Sequence, residues 1–550
     1  MSFCLTPNTA EKLKQAIVSG KIDIDRLSGG TSKERQEFFS SFFGNLDTGK
    51  KVNALFESKL LLKNQKLGLV NWAKELTGIK PEVQRDLISR IEKMDKILSP
   101  EDRSKFLNDL ASKRLGTDIT IEEADKIMEL SNKITKLKES TDITKSDIPL
   151  GRAKLELSDY VNSLNPQKAG IVSNIANIPR SVMASLDLSA PLNQGWGMLS
   201  RKQFYPAFRD MFKYAFSKDK FADLQADIIT RPNYKAAKKA GLRLTDLGTN
   251  LQKREEQFMT NLLDKVPGIA GSQRAYTGFL NKLRMDVFDD LVKKAGLAGE
   301  DINPGSKVFE DLAKVVNNFT GGAQVGKFEQ ATPALNALFF SPRKITSTLQ
   351  MLNPVNYVNP NISPTARKSA IRNLLGSLTI TASIISLARA LGAEEPETDP
   401  RSSEFGKIKV GNSRVDMTGG NGTYAVLLAR ILSQSIKTQA GTIKPLGTKI
   451  GETSGFYLVS NAMRYKLSPN ASLVADAITG ANAIGEKKTI PQSVLDRFKP
   501  MFITSFLELA DEDPDAMALA LPAIFGGGLS TYEPKESKPK SKPIPLKPIK

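Results

Sequence analysis

Apolar residues at three- and four-residue spacing, set between helix-start signals, constrain the fold of this chain more than any other feature. Behind Pro81, the residues Val83, Leu87, Ile91, Met94 and Ile97 recur at that spacing, while Arg85, Asp86, Arg90, Glu92 and Lys93 take the opposite face, which predicts an amphipathic helix. Ser99, Pro100, Glu101 and Asp102 supply an N-cap, a first-turn proline and acids for the helix dipole, and Thr120 with Glu123 forms a capping box. A longer stripe, Tyr276, Phe279, Leu280, Leu283, Val287, Phe288 and Leu291, runs along 272–294 and reads as core. Strands alternating with helices are absent from the pattern, so a compact α/β core is not expected.

The one β signal follows an acidic, proline-containing stretch from Glu394 to Pro400. Lys407 to Val410 alternate, Gly411-Asn412 supplies a tight turn and Arg414 to Met417 return, a hairpin. The fold class expected is mainly α, an elongated multi-helical assembly with one small β-hairpin and a disordered C-terminal tail. Its expected divisions are an N-terminal helical bundle over 1–145, a central helical domain over 146–345, a C-terminal helical region over 346–532 with the hairpin near 407–417, and a Lys/Pro-rich tail over 533–550.

Composition narrows the chemistry. The 550 residues contain no histidine and one cysteine, Cys4. A Ser-His-Asp triad, a Cys-His pair, a Cys/His metal site and an internal disulfide are therefore excluded. Carboxylate pairs, nucleophilic lysines and carboxylate-held magnesium remain chemically open, but no catalytic residue, cofactor or metal site is expected. Lys and Arg number 78 against 59 Asp and Glu, a net charge of +19. That balance favours nucleic acid, anionic lipid or an acidic protein as partner, and a soluble lysine-rich protein with none of these has the same composition. Met1 to Ala10 lacks a basic and an apolar region, so synthesis in the cytoplasm is expected.

Two segments are candidates for interaction. Asn373 to Ala388, bounded by Arg372 and Arg389, is uncharged and largely apolar. It is shorter than the roughly 20 apolar residues of a spanning helix, so a buried core helix is expected, with conditional membrane insertion through Leu374, Leu378, Ile380, Ile384, Ile385 and Leu387 as the alternative. A second apolar run, Ala516 to Leu529, is broken by Pro522 and Gly526 to Gly528. In the tail, Lys535, Lys538, Lys540, Lys542, Lys547 and Lys550 alternate with prolines. This composition suits an extended segment that contacts a polyanion or an acidic partner, or one that is simply solvated.

Other patterns resemble sites and yield to plainer readings. Gly321-Gly322-Ala323-Gln324-Val325-Gly326-Lys327 matches most of a phosphate-binding loop, but Phe328 stands where a hydroxyl should hold magnesium and the preceding residues have helical period. Gly419, Gly420 and Gly422 suit an anion nest or, more simply, a turn between hairpin and helix. Asp511, Glu512, Asp513 and Asp515 complement a helix dipole, with a divalent-ion site as the alternative. Glu57-Ser58 resembles the start of a lytic transglycosylase motif without its downstream part, and Glu57 reads as a surface acid. Tyr205, Phe208, Phe212 and Phe216, interleaved with Arg201, Lys202, Arg209 and Lys213, read as a packing face rather than base-stacking platforms.

Five segments carry a family resemblance: the run from Ile178 to Gly195; Arg274 to Phe279 with Leu283-Arg284; Asn317-Asn318-Phe319-Thr320-Gly321; Phe339-Phe340-Ser341-Pro342-Arg343; and Asp399 to Ile408. Their order and spacing over roughly 171–437 resemble the large polyvalent-type structural proteins of tailed bacteriophages. Asn53 to Glu57 and Gly78 to Glu82 are similar to the same group. The resemblance implies a phage-encoded virion or virion-associated component and supplies no catalytic residues, so a non-enzymatic, oligomeric role is expected. An internal or ejected protein assisting genome delivery is one step further, and fits the basic charge, the marginally apolar helix and the lack of disulfides. Other virion proteins (portal, tail or internal) are the implied partners, with phage DNA and, on ejection, the host membrane as further candidates. The competing expectation is a nucleic-acid-binding protein of the infected cell.

Overall fold

The computed structural model describes residues 31–43, 46–75, 121–140, 144–164, 188–245, 267–326, 341–447, 453–479 and 520–531, with scattered positions between them. Most of these residues are helical, as the periodicity predicts, and the few strands form two small sheets. The six tail lysines, the acids at 511–515, the caps at Ser99 and Thr120, and Lys327 with Phe328 lie outside the described residues. The chain divides into two compact units, Met1–Gln167 and Lys168–Lys550.

In the first unit, α1 (Ser32–Phe43), α2 (Leu46–Glu75), α3 (Ile121–Glu139) and α4 (Ile148–Leu164) pack in succession, α1 on α2, α2 on α3 and α3 on α4. A capping box starts α1: the Thr31 amide donates to Glu34 Oε2 at 2.7 Å and the Glu34 amide donates to Thr31 Oγ1 at 3.3 Å. Leu69 and Ala73 of α2, Ile127, Leu130 and Ile134 of α3, and Leu150, Ala153 and Leu157 of α4 close one core, joined by Ile91 from the amphipathic stretch behind Pro81. α4 begins just past the sequence-based division at 145 and packs on α2 and α3.

The second unit is built around α7 (Pro267–Leu297), onto which pack α5 (Phe204–Phe216), α6 (Lys218–Thr230), α8 (Lys307–Asn318) and α10 (Pro364–Ala390). Every member of the predicted stripe on α7 is buried, from Tyr276 to Leu291. Polar residues are enclosed with it: Arg284 is fully buried and donates to Thr320 Oγ1 at 2.9 Å, to the Thr320 carbonyl at 2.7 Å and to the Arg243 carbonyl at 3.1 Å. Where α5 lies on α7, a Cβ on Gly278 would stand 2.4 Å from Tyr214 Cδ2, so only glycine allows this approach. The same core takes in Met351 of α9 (Pro342–Leu352) and Ile408, Val415 and Met417 of the hairpin, and so runs across position 345.

The hairpin forms where it was expected: β1 (Ile408–Val410) and β2 (Ser413–Asp416) pair antiparallel, with Ile408 opposite Val415 and Gly411 in the turn at φ +53°. Beyond it, β2 pairs on its other edge with β5 (Gly528–Thr531), and β3 (Ser435–Lys437) pairs with β4 (Ile443–Pro445). After β2 come α11 (Asn421–Ser433), α12 (Gly455–Arg464) and α13 (Pro469–Thr479).

Candidate functional site

The feature that departs most from a water-soluble helix is α10. Its start is firmly anchored. Pro364 occupies the first turn, Ser363 Oγ accepts from the Ala366 amide at 3.2 Å, and Glu300 Oε1 accepts from the Thr365 amide at 2.9 Å. Ser369, Asn373, Ser377 and Thr381 recur every four residues, and all four are buried. The opposite side carries Ile371, Leu375, Leu378 and Ala382, all exposed, Leu375 by 58% and Leu378 by 46%. The buried stripe is thus largely polar, with Ala366 and Ala370 beside it, while large apolar side chains stand outward among Lys368, Arg372, Thr379 and Ser383, a departure from the ordinary amphipathic arrangement.

Its inner face is held by specific hydrogen bonds from residues 196–201. Trp196 Nε1 donates to Thr381 Oγ1 at 2.9 Å. Arg201 Nε donates to Asn373 Oδ1 at 2.5 Å, and its Nη2 reaches Ser369 Oγ. Asp290 Oδ2 lies 3.9 Å from Arg201 Nη1. Burial first, and the nearby Arg372 charge second, pull Arg201 down to about 10, against the carboxylate of Asp290. Gly376 permits the close approach, since a Cβ there would stand 2.4 Å from Ser200 Cβ.

The expectation of a buried core helix over 373–388 is therefore corrected. The helix turns Ser369, Asn373 and Thr381 inward because these meet Arg201 and Trp196, which need acceptors, and Ala366 and Ala370 are buried beside them. Of the six residues singled out, Leu378 and Leu387 are exposed, while Leu374, Ile380, Ile384 and Ile385 are partly buried at the flank of the core. Ile371 and Leu375 were missed. The four-residue spacing of Ser369, Asn373, Ser377 and Thr381 was the signal that could have found them. Pro364–Ala390 is also long and apolar enough to cross a membrane, with a mean hydropathy of 1.4 over its best window.

The two glycine-rich loops bind their own chain. In the segment resembling a phosphate loop, the Gly322 amide donates to the Asn317 carbonyl at 2.9 Å, Ala323 to Ser347 Oγ at 2.9 Å and Val325 to Glu329 Oε2 at 3.2 Å. This segment follows the end of α8, where a helix presents carbonyls rather than amides. After β2, Asp416 fills the turn made by Gly419 and Gly420, which have φ of +58° and +82°. Its carboxylate accepts from the Thr418 amide at 2.7 Å and the Gly420 amide at 3.2 Å, while the Gly422 amide donates to Thr418 Oγ1 at 2.7 Å. The nest is occupied by an anion the chain itself supplies.

Beside that turn, Lys344 Nζ donates to Asn421 Oδ1 at 3.0 Å, and Lys466 Nζ lies 5.6 Å from the Tyr424 ring centre. Burial first, and the Lys466 ammonium second, pull the Lys344 amine down to about 7, with Asp416 opposing. Burial also lowers Lys466. Glu57, half-buried, accepts from Arg35 Nη2 at 3.2 Å and Asn53 Nδ2 at 3.3 Å. Its carboxyl is held below the usual range by hydrogen bonding from Ser32 and Arg35, whereas a proton-donating acid needs the opposite shift.

The aromatic stretch packs on a face rotated from the one predicted. Phe204, Ala207, Met211 and Tyr214 are buried, Phe208 and Phe212 lie 5.1 and 6.1 Å from the Phe525 ring, and Tyr205 and Phe216 are exposed. No family model, curated protein or solved structure matches the chain.

Proposed function

We propose that this chain is a non-enzymatic component of a tailed-bacteriophage particle, an internal or ejected protein that assists genome delivery at the host envelope. The observation that carries the reading is α10: Ser369, Asn373 and Thr381 are engaged within the unit while Leu375, Leu378 and Leu387 are left in water. A leucine side chain gains roughly 1.5–3 kcal/mol on full burial, so a face of this kind suits a protein that meets an apolar surface at some stage of its work. The resemblance of the segments between 171 and 437 to phage structural proteins and the net charge of +19 support it further. Other virion proteins and further copies of the chain are its proposed partners, and it is made in the host cytoplasm.

The test is to separate DNA-filled particles from particles that have ejected their DNA and to quantify the chain in each by mass spectrometry. Presence in filled particles with loss after ejection is the expected result, and presence in both means a fixed part of the shell or tail. The excess of lysine and arginine favours a second reading, nucleic-acid binding in the infected cell. Absence from both kinds of particle, with DNA affinity that falls steeply with salt, would establish that reading instead.

A further inference from the structure

We infer that the uncovered face of α10 docks in the plane of an anionic lipid surface while its polar face stays bound to the rest of the unit. This rests on the reading above that the chain works at the envelope. Three observations select lipid as the occupant. Two of the outward hydroxyls are already satisfied by the helix itself: Thr379 Oγ1 donates to the Leu375 carbonyl and Ser383 Oγ to the Thr379 carbonyl, each at 2.9 Å. Such back-bonding removes the donor that would otherwise be stranded in hydrocarbon.

Charge is the second. The helix contains no acidic residue, and Lys368 and Arg372 are exposed beside Ile371 and Leu375. Long basic side chains placed there reach lipid phosphates while their stems lie along the apolar face. At the far end Arg389 is taken up by Glu395 at 3.2 Å, so the basic attraction acts at the first turns. A second copy of α10 would offer Lys368 and Arg372 no carboxylate of its own.

The third observation sets the mode of docking. Spanning the bilayer would require Ser369, Asn373 and Thr381 to leave Arg201 and Trp196 and enter hydrocarbon, where unsatisfied polar groups are strongly disfavoured. Lying in plane keeps every one of those bonds and still immerses Leu375 and Leu378. The arrangement is that of an interfacial helix rather than a transmembrane one.

Flotation of the full chain with vesicles tests this directly. Binding is expected to vesicles containing phosphatidylglycerol and to be weaker with phosphatidylcholine alone. Leu375→Glu with Leu378→Glu should lower the partition about a hundredfold, with circular dichroism in buffer unchanged because both positions are exposed. Lys368→Ser and Arg372→Ser should each cost about fivefold on anionic vesicles and nothing on neutral ones. In a Trp72→Phe background, Trp196 emission should stay the same on binding, since Thr381 remains its partner. If the double leucine variant does not fold, brominated acyl chains should quench the added fluorescence of Leu375→Trp.

The inference is overturned by failure to bind anionic vesicles, by unaltered binding of the leucine variant, or by a shift of Trp196 emission, which would mean that the helix has left its unit. It is equally overturned if the chain is a dimer that the leucine variant dissociates without any lipid binding. Presence in particles without lipid binding defeats only this inference, and lipid binding without presence in particles defeats only the reading on which it rests.

Discussion

Lys344 holds its proton weakly, at about 7, because its amine is buried and faces Lys466. In the unfolded chain a lysine titrates near 10.4. Between those values the unfolded state binds a proton that the folded state does not, so stability of the second unit should rise as pH climbs from neutrality toward about 10. Lys344→Met should make that rise shallower, as urea midpoints followed across the range will show. At Thr381, replacement by Val removes the acceptor of a buried indole N–H and should cost about 1–3 kcal/mol, measured by denaturation. The sequence displayed Ser369, Asn373, Ser377 and Thr381 openly, at helical spacing. It could not display Arg201 and Trp196 as their partners, because hydrogen bonds between residues 172 and 185 positions apart leave no local pattern.

At the scale of elements, what depends on local period was readable and what depends on distant pairing was not. The stripe on α7 and the hairpin at 408–416 came directly from spacing and turn chemistry. The third strand, β5, did not, since the run from Ala516 to Leu529 is broken by proline and glycines and becomes a strand only where β2 offers an edge. Likewise the burial of α5 was placed on the wrong side by about one residue. Both possible faces are aromatic, and the choice between them is made by α7. The glycine that allows that contact gives a direct check: Gly278→Ala should destabilise the second unit by about 1–3 kcal/mol through overpacking against Tyr214, seen as a lower thermal midpoint with little change in helical content.

For the molecule as a whole, the governing fact is that, among the described residues, most buried apolar side chains gather in two clusters, one drawn from positions 69–157 and the other from 190–417. Each unit therefore has its own source of stability, and calorimetry of the intact chain should resolve two transitions, with Gly278→Ala lowering only one of them. A single cooperative transition would mean that the units stabilise each other.

The two cores also bear on mechanics. With one cysteine in 550 residues, the chain has no internal covalent tie between any two of its elements. Pulled from an end, it would give way in two successive steps of force, and every helix in it could be drawn out straight through an opening far narrower than either folded unit.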